Sequence, residues 1–229
     1  MVVGGGLMAQ AFQRYKNNNS TIIFASGVSS SKSCTEHDCA REEKLLRNVL
    51  GESGDKTLFV YFSSCSIASS KLTDDTYHSH KKKMEGIIRS NVKRHIIFRL
   101  PNVVGRTVNL DTLFYYLVDK VKAQKEFDLW SGAKRNVIDI DDVVRIVNYI
   151  IDNGVFVNET INIANLNDVT VDDIVSEISK HLGVDAKYSM IEYNDNYYID
   201  TVKIEPIIKQ LGLDFDLHYL KNITKKYCN

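Results

Sequence analysis

The chain has 229 residues, of which 44% are hydrophobic and 25% are charged, which is the composition of an ordinary globular protein with one core or two lobes. Its 29 Lys and Arg residues balance its 29 Asp and Glu residues, so overall charge favours neither nucleic acid nor an acidic membrane surface as a partner. No apolar run reaches the roughly 18 residues that a membrane span requires, and the start of the chain lacks a signal-peptide pattern, so we expect no membrane association.

Apolar β-branched runs alternate with longer amphipathic stretches, a pattern that predicts an α/β fold with a parallel sheet. After the opening valines, strands are predicted at Thr21–Phe24, Leu58–Phe62, His95–Leu100 and Thr160–Ile163. Helices are predicted from the glycine turn to about Tyr15 and at Arg41–Leu50, Thr76–Ile88, Leu110–Ala123, Asp141–Asp152 and Val171–Leu182.

The opening Gly4-Gly5-Gly6-Leu7-Met8-Ala9 fits the pattern Gly-x-Gly-x-x-Ala between a strand and a helix. In such a turn Gly4 allows the tight bend, Gly6 lets the backbone approach a pyrophosphate, and Ala9 lets the helix pack on its strand. The pattern alone is weak, because glycine turns without a ligand are common. The first strand is short, so we expect native residues ahead of Met1.

A tyrosine and a lysine four positions apart, Tyr77 and Lys81, would share one face of a helix. There the ammonium can stabilise the phenolate, so that the phenol transfers a proton near neutral pH. The spacing is not diagnostic, since Tyr116 and Lys120 share it. However, Ser64 ends the strand that precedes Tyr77, where its hydroxyl can meet the tyrosine over a substrate carbonyl. We therefore favour Tyr77, and expect Tyr116 to pack in an apolar helix.

Taken in order, these motifs resemble the extended short-chain dehydrogenases/reductases, which include nucleotide-sugar epimerases, 4,6-dehydratases and 4-keto-sugar reductases. The resemblance rests on the glycine turn, Phe24-Ala25-Ser26-Gly27, Phe62-Ser63-Ser64-Cys65-Ser66, Tyr77-x-x-x-Lys81 and Arg99-Leu100-Pro101-Asn102-Val103-Val104-Gly105. Further on, the segment from Arg135 to Val144 resembles the family's Arg-Asp-aromatic-Ile-His-Val-x-Asp segment, and Ile161–Ala164 its last core strand. Each motif is weak, but their order and spacing together span nearly the whole chain.

The resemblance implies a Rossmann-like cofactor-binding domain over residues 1–105 and a small substrate-binding lobe over residues 106–229, with Thr160–Ile163 returning to the main sheet. It implies NAD or NADP as cofactor and a catalytic set in which Tyr77 is the acid/base, Lys81 binds the nicotinamide ribose and Ser64 binds the reacting oxygen. Cofactor contacts are implied for Gly4, Gly6, Leu7, Met8, Ala25, Ser26, Gly27, Phe62, Ser63, Tyr77, Lys81, Leu100 and Pro101. Substrate contacts are implied for Asn102, Asn109 and Arg135, with Arg135 binding the pyrophosphate of a nucleotide sugar.

The chain is shorter than the family's usual length. Thr21–Phe24 resembles the fourth strand but follows the first helix closely, so we expect the second and third strands, which cradle the adenosine, to be missing. The alternative makes Thr21–Phe24 the second strand, with Ser26 and Lys32 receiving a 2′-phosphate. The acidic residue expected about 20 positions after the glycine turn is absent. Asn194-Asp195-Asn196 also replaces the arginine expected after the last substrate strand.

The leading hypothesis is an enzyme that reduces, oxidises or epimerises a nucleotide-linked sugar by hydride transfer, in polysaccharide or glycan-precursor synthesis. Dehydration is disfavoured, because Ser64-Cys65-Ser66 carries no carboxylate. An alternative is a sugar-nucleotide binding module that has lost its adenosine-binding half and with it most activity. A reductase of small carbonyl compounds is disfavoured by the match at Asn102 and Arg135.

Further expectations concern cellular context and assembly. Cysteines are few and unevenly spaced, which fits a reducing cytoplasm, and Cys34, His37 and Cys39 match no common zinc spacing, so we predict no metal site. His78 and His80 flank the catalytic helix and are expected to be solvated. By analogy with the family, a homodimer is expected through the helices at Arg41–Leu50 and Thr76–Ile88.

Overall fold

The computed structural model describes residues 1–28, 34–52, 54–69, 75–107, 109–193 and 196–228. Lys32, Asn194 and Asp195 therefore lie outside the described residues. Five parallel strands form the main sheet, in the order β1 (Val2–Val3), β2 (Thr21–Phe24), β3 (Leu58–Ser64), β4 (His95–Leu100) and β8 (Glu159–Asn162). All of β2 and the first six residues of β3 are buried, as expected for parallel strands covered on both faces.

The strand order decides between the two interpretations of Thr21–Phe24. β2 pairs with β1 on one side, at Val2↔Ile23, and with β3 on the other, at Ile22↔Phe59. In a complete Rossmann sheet of order 3-2-1-4-5-6 the first strand lies inside the sheet, between the second and the fourth, whereas here β2, β3, β4 and β8 all follow β1 on one side. The order therefore corresponds to 1-4-5-6, which confirms that the second and third strands are missing. β1 is the edge of the sheet in the part of the chain that the structure describes.

Helices cover both faces of the main sheet. α2 (Glu36–Glu52) and α3 (Thr76–Asn91) pack on one face, against the side chains of Phe24, Phe59 and Tyr61. α1 (Leu7–Ala11) and α5 (Ile140–Asp152) lie on the other face, with Phe12 and Val147 in that core. α1 is shorter than predicted because the chain tightens into a 3₁₀ turn at Gln13–Tyr15.

The rest of the chain forms two small sheets and further helices. β5 (Asn102–Val104) pairs in parallel with β7 (Lys134–Asp139), which pairs antiparallel with β9 (Asp168–Thr170). β6 (Phe127–Ser131) pairs with β10 (Tyr188–Glu192). The remaining helices are α4 (Leu113–Lys122), α6 (Val171–Leu182), α7 (Glu205–Gln210) and α8 (Tyr219–Tyr227). Within the described ranges, no helix combines the length and apolarity of a membrane span. The division into domains at residue 105 stays a prediction.

Candidate active site

A cavity of about 820 Å³ lies at the carboxyl ends of β1 to β4, where open parallel sheets bind their ligands. The glycine turn and the segment after β2 form one part of its wall, and the ends of β3 and β4 with α3 form another. Residues of β6, β7 and α4 complete it. With the exception of Gly4, every residue predicted to contact cofactor or substrate lines this cavity.

The glycine turn is fixed by its contact with the end of β2. Gly4 has φ +128°, and a Cβ there would lie 2.4 Å from the carbonyl oxygen of Ala25. Any other residue would be strained and would push the turn off the sheet. Gly4 therefore shapes the turn from outside the cavity, while Gly5 and Gly6 line the cavity without side chains and have open space around them.

The catalytic lysine of the predicted set is buried and paired. Lys81 is 2% exposed, and its Nζ lies 3.3 Å from Oε1 of Glu42, which is itself fully buried. Lys81 donates to the hydroxyl of Tyr61 at 3.1 Å, and that hydroxyl donates to Glu42 at 3.0 Å. The other carboxylate oxygen of Glu42 accepts the backbone N–H of Val28 at 2.8 Å and lies 3.0 Å from Nε2 of His80. This cluster ties α2, β3 and α3 together behind the cavity wall.

The cluster contains an ionised carboxylate at neutral pH. Burial by itself raises the pKa of Glu42, but the hydrogen bond from His80 and the charge of Lys81 outweigh it and lower that pKa to about 2. The ammonium of Lys81 lies 5.9 Å from the centre of the Tyr77 ring. The charge of Lys81 is thus shared between a buried counter-ion and the tyrosine that it was predicted to activate.

Gly27 keeps the lysine at the cavity wall. A Cβ at Gly27 would lie 2.6 Å from Nζ of Lys81 and 3.2 Å from Oε1 of Glu42. Gly27 also lines the cavity, so its missing side chain leaves room for the ammonium beside any bound ligand. Glu42 was not predicted from the sequence, although it shares the buried face of α2 with Cys39, Leu46 and Val49, and a carboxylate on such a face needs a partner.

Ser64 begins a continuous chain of hydrogen bonds. Its hydroxyl lies 2.8 Å from that of Ser66, which lies 2.8 Å from Nε2 of His78. Nδ1 of His78 lies 2.6 Å from a carboxylate oxygen of Asp75, which also accepts the backbone N–H of His78 and so caps α3. The expectation that His78 and His80 are solvated is wrong, because they are 1% and 6% exposed and both are hydrogen-bonded.

Tyr77 is 8% exposed and lines the cavity together with Ser64. Its ring packs edge-on against that of His78, with 5.1 Å between the ring centres. Tyr116 of α4 also lines the cavity, and its ring packs edge-on against that of Phe127 in β6. Ser64 ends β3, and Ser64, Tyr77 and Lys81 all line this cavity, with Nζ of Lys81 5.9 Å from the centre of the Tyr77 ring.

The predicted substrate residues lie on β5 and β7 and in the segment before α4. Asn102 donates to the backbone carbonyl of Asn136 at 3.0 Å, which joins β5 to β7. The guanidinium of Arg135 lies 5.7 Å from the ring centre of Trp130, and Trp130 in turn packs against Tyr193 at 4.6 Å.

Among the cavity-lining residues that were not predicted from the sequence are Trp130, Tyr193 and Arg41, a cation on α2. Their positions depend on contacts between segments that are far apart in the chain. The cavity fits the nicotinamide and phosphate portions of a dinucleotide, because side chains are absent at Gly5, Gly6 and Gly27, where such a group would lie.

Residues 22–164, more than half of the chain, match the NAD dependent epimerase/dehydratase family. No curated protein matches the chain significantly. One similar solved structure is that of UDP-glucuronic acid 4-epimerase from Bacillus cereus, in complex with UDP-glucuronic acid and NAD. The TM-score is 0.68 and the identity is 17%, over 95% of this chain and 79% of that one.

Two other solved structures are similar at low identity. The DesIV dTDP-glucose 4,6-dehydratase double mutant from Streptomyces venezuelae, with NAD and DAU bound, gives a TM-score of 0.71 and 14% identity, over 95% of this chain and 76% of that one. RMD from Pseudomonas aeruginosa, complexed with NADPH, gives a TM-score of 0.67 and 11% identity, over 92% of this chain and 82% of that one. These likenesses confirm the predicted Rossmann-like α/β fold, and the family is NAD-dependent.

Proposed function

Since the chain belongs to the NAD dependent epimerase/dehydratase family, we propose that it is an NAD(P)-dependent reductase or epimerase of a nucleotide-linked 4-keto sugar. We assign it to polysaccharide or glycan-precursor synthesis on the strength of the family alone. One observation carries the proposal: Ser64, Tyr77 and Lys81 line the same 820 Å³ cavity as Asn102 and Arg135. A substrate whose carbonyl lies near Ser64, Tyr77 and Lys81 would thus be within reach of Asn102 and Arg135.

A bound nicotinamide supplies or accepts the hydride at the sugar carbon. The glycine turn and the side-chain-free wall at Gly27 would hold the phosphates and ribose of that cofactor, and Lys81 would donate to the ribose hydroxyls. Arg41 provides a cation on the α2 side of the same wall, where the two missing strands leave the adenosine without its usual support.

Tyr77 acts as the acid/base in this proposal and Ser64 binds the reacting oxygen. Tyr77 is buried and Ser64 is half-buried, and this low exposure strengthens their hydrogen bonds to a substrate carbonyl. Lys81, fixed by its buried partner Glu42, stabilises the tyrosinate electrostatically without having to be ordered when ligands bind.

Arg135 would bind the pyrophosphate of the nucleotide sugar, since a guanidinium matches two phosphate oxygens at once. The aromatic pair of Trp130 and Tyr193 lies beside it and offers flat surfaces on which a nucleotide base can stack. Asn102 and Asn109 add amide groups to the same part of the cavity wall.

The proposal is tested by titrating the purified chain with NADH and NADPH and following nicotinamide fluorescence. We expect micromolar binding of at least one cofactor, weakened about tenfold or more by Lys81→Ala because a charge-assisted hydrogen bond to the ribose is lost. Lys120→Ala, in the second Tyr-x-x-x-Lys sequence, is the matched control and should bind like the wild type. Absence of binding at millimolar concentrations of both cofactors would refute the dehydrogenase mechanism.

A second candidate is a module that binds nucleotide sugars without turnover. Two observations favour it: the main sheet ends at β1 within the described residues, and the charge of Lys81 is largely neutralised by Glu42. Calorimetry with UDP-glucose and dTDP-glucose, with and without cofactor, separates the candidates, because only the module binds the sugar tightly with no cofactor affinity. The predicted homodimer through α2 and α3 is tested by light scattering of the same sample.

A further inference from the structure

We propose that Asp75, His78 and Ser66 form a proton-delivery chain that serves Ser64 and Tyr77, and that the enzyme is therefore a net reductase rather than an epimerase. The inference rests on the proposed function and deepens it. Reduction of a carbonyl consumes one proton from solvent in every turnover. A 4-epimerase returns the proton that it removes, so it needs no path to solvent.

The contacts form an unbroken path of groups that can all relay a proton. From the cavity outward they are the hydroxyls of Ser64 and Ser66, the two ring nitrogens of His78 and the carboxylate of Asp75. The three links measure 2.8, 2.8 and 2.6 Å. Each hydroxyl can donate one proton while it accepts another, and the imidazole can do the same through its two nitrogens.

The path also runs from a buried to an exposed group. Ser66 and His78 line the cavity, but His78 is only 1% exposed, so it exchanges protons through its partners. The side chain of Asp75 is 41% exposed and meets bulk water. The chain thus connects the hydroxyl of Ser64 to solvent through the protein.

The other exit from the site is closed. A proton that moved along Lys81 would pass to Tyr61, Glu42 or His80, and these side chains are buried at 0%, 0% and 6% exposure. Within the described residues, that cluster offers no exposed group at its far end. We therefore place the proton supply of Tyr77 on the route through Ser64 and Ser66, which line the same cavity as Tyr77.

With a reduced nicotinamide bound, the carbonyl carbon would receive a hydride from it, and the electron pair of the C=O bond would move to oxygen. Tyr77 gives its phenolic proton to that oxygen, which completes the alcohol. Ser64 then protonates the tyrosinate, Ser66 protonates Ser64, and His78 protonates Ser66 from Nε2. Asp75 passes a solvent proton to Nδ1 of His78, so one proton is taken from water and none is left over.

Three variants interrupt the chain with little change of shape. Ser66→Ala removes one hydroxyl, His78→Gln replaces the imidazole with an amide that relays protons poorly, and Asp75→Asn removes the carboxylate but keeps an acceptor that caps α3. His181→Gln, on the exposed last turn of α6, is the matched control.

The first readout requires no substrate. In protein labelled with ¹⁵N-histidine, we expect the Nδ1 proton of His78 to exchange with water through Asp75 in the wild type, its signal to be absent in His78→Gln, and the exchange to slow in Asp75→Asn. An Nδ1 proton that does not exchange in the wild type, or an exchange rate that Asp75→Asn leaves unchanged, would overturn the chain whatever the activity.

The second readout is oxidation of NADH or NADPH with dTDP-4-keto-6-deoxyglucose and UDP-4-keto-6-deoxyglucose as probes. We expect each variant to lower kcat by at least about tenfold, less than the 10²–10⁴-fold of a direct acid–base catalyst, with KM and cofactor Kd changed less than about twofold. Because the groups act in series, Ser66→Ala with His78→Gln should be no slower than the worse single variant.

The outcomes separate the two proposals. If the wild type turns over but the variants keep their kcat, or the losses of kcat add in the double variant, the delivery chain would be overturned and the proposed function would stand. Cofactor binding without reduction of either probe, together with interconversion of UDP-glucose and UDP-galactose, would establish an epimerase and overturn the net reduction. Failure to bind either cofactor would refute the proposed function itself, and the delivery chain with it.

Discussion

Glu42→Gln removes one charge from the buried ionic cluster of Glu42, Lys81 and His80 and leaves the shape of the side chain nearly unchanged. Glu42 is fully buried and Lys81 is 2% exposed, so the variant leaves an ammonium without its counter-ion. A pKa lowered from 4.5 to about 2 corresponds to about 3 kcal/mol of folding stability at neutral pH. Disrupting one partner of a buried ion pair costs about 3–5 kcal/mol, which agrees with this value.

We expect Glu42→Gln to lower the free energy of unfolding by about 3 kcal/mol and Tm by roughly 6–12 °C, since a chain of this size loses about 2–4 °C per kcal/mol. Urea unfolding at pH 7 measures the difference. The folded-state pKa of Glu42 is lowered, so its stabilisation is complete above the unfolded-state value and is lost as pH falls toward 2. The difference in the free energy of unfolding between wild type and variant should therefore decrease below about pH 4.5.

The neighbouring Glu43→Gln is the matched control. Glu43 pairs with Arg47 and Lys83, whose side chains are 55% and 58% exposed, and such surface pairs contribute about 0–1 kcal/mol. Equal destabilisation by Glu42→Gln and Glu43→Gln would refute the buried-pair reasoning. Adding Lys81→Met to Glu42→Gln should recover part of the loss, because it removes the unpaired charge.

Three further predictions concern ligands. Gly27→Ala should weaken NAD(P)H binding about tenfold in a fluorescence titration, because its Cβ would displace the ammonium that lies 2.6 Å away, whereas Gly51→Ala, with open space around it, should bind normally. Arg41→Ala should weaken NADPH more than NADH if this cation meets a 2′-phosphate, and equal losses in paired titrations would assign it to the shared pyrophosphate instead. Tyr77→Phe should reduce kcat by about 10²-fold or more while Tyr116→Phe changes it less than about threefold, and the reverse order in steady-state assays would transfer the acid/base role to Tyr116.

The family and the fold could be predicted because they depend on local patterns in a fixed order. The glycine turn, the buried strands and the Tyr-x-x-x-Lys helix are each short segments, and their spacing along the chain indicated the loss of two strands before the strand order confirmed it. The helix ends were predicted less accurately: α4 begins at Leu113 rather than at Leu110, which is 60% exposed.

The electrostatic partners of the catalytic set could not be predicted, because they join segments far apart in sequence. Glu42 meets Lys81 across 39 positions, and no periodicity identifies which lysine a buried carboxylate will reach. His78 follows Tyr77 directly and was expected in water, yet the turn of α3 directs it toward Ser66, 12 positions earlier. Sequence patterns thus predicted the residues that we propose to react, while the charged and hydrogen-bonded partners of those residues depend on tertiary packing.

Transfer of deuterium from the cofactor to the sugar tests the central claim most directly. The chain is incubated with (4-²H)-labelled NADPH or NADH and dTDP-4-keto-6-deoxyglucose, and the product is analysed by mass spectrometry and NMR. Hydride transfer to a nucleotide-linked 4-keto sugar predicts one deuterium at C4 of the sugar, in a stoichiometric amount with the cofactor oxidised. A chain that binds both molecules yet leaves C4 unlabelled and the cofactor reduced would contradict the account.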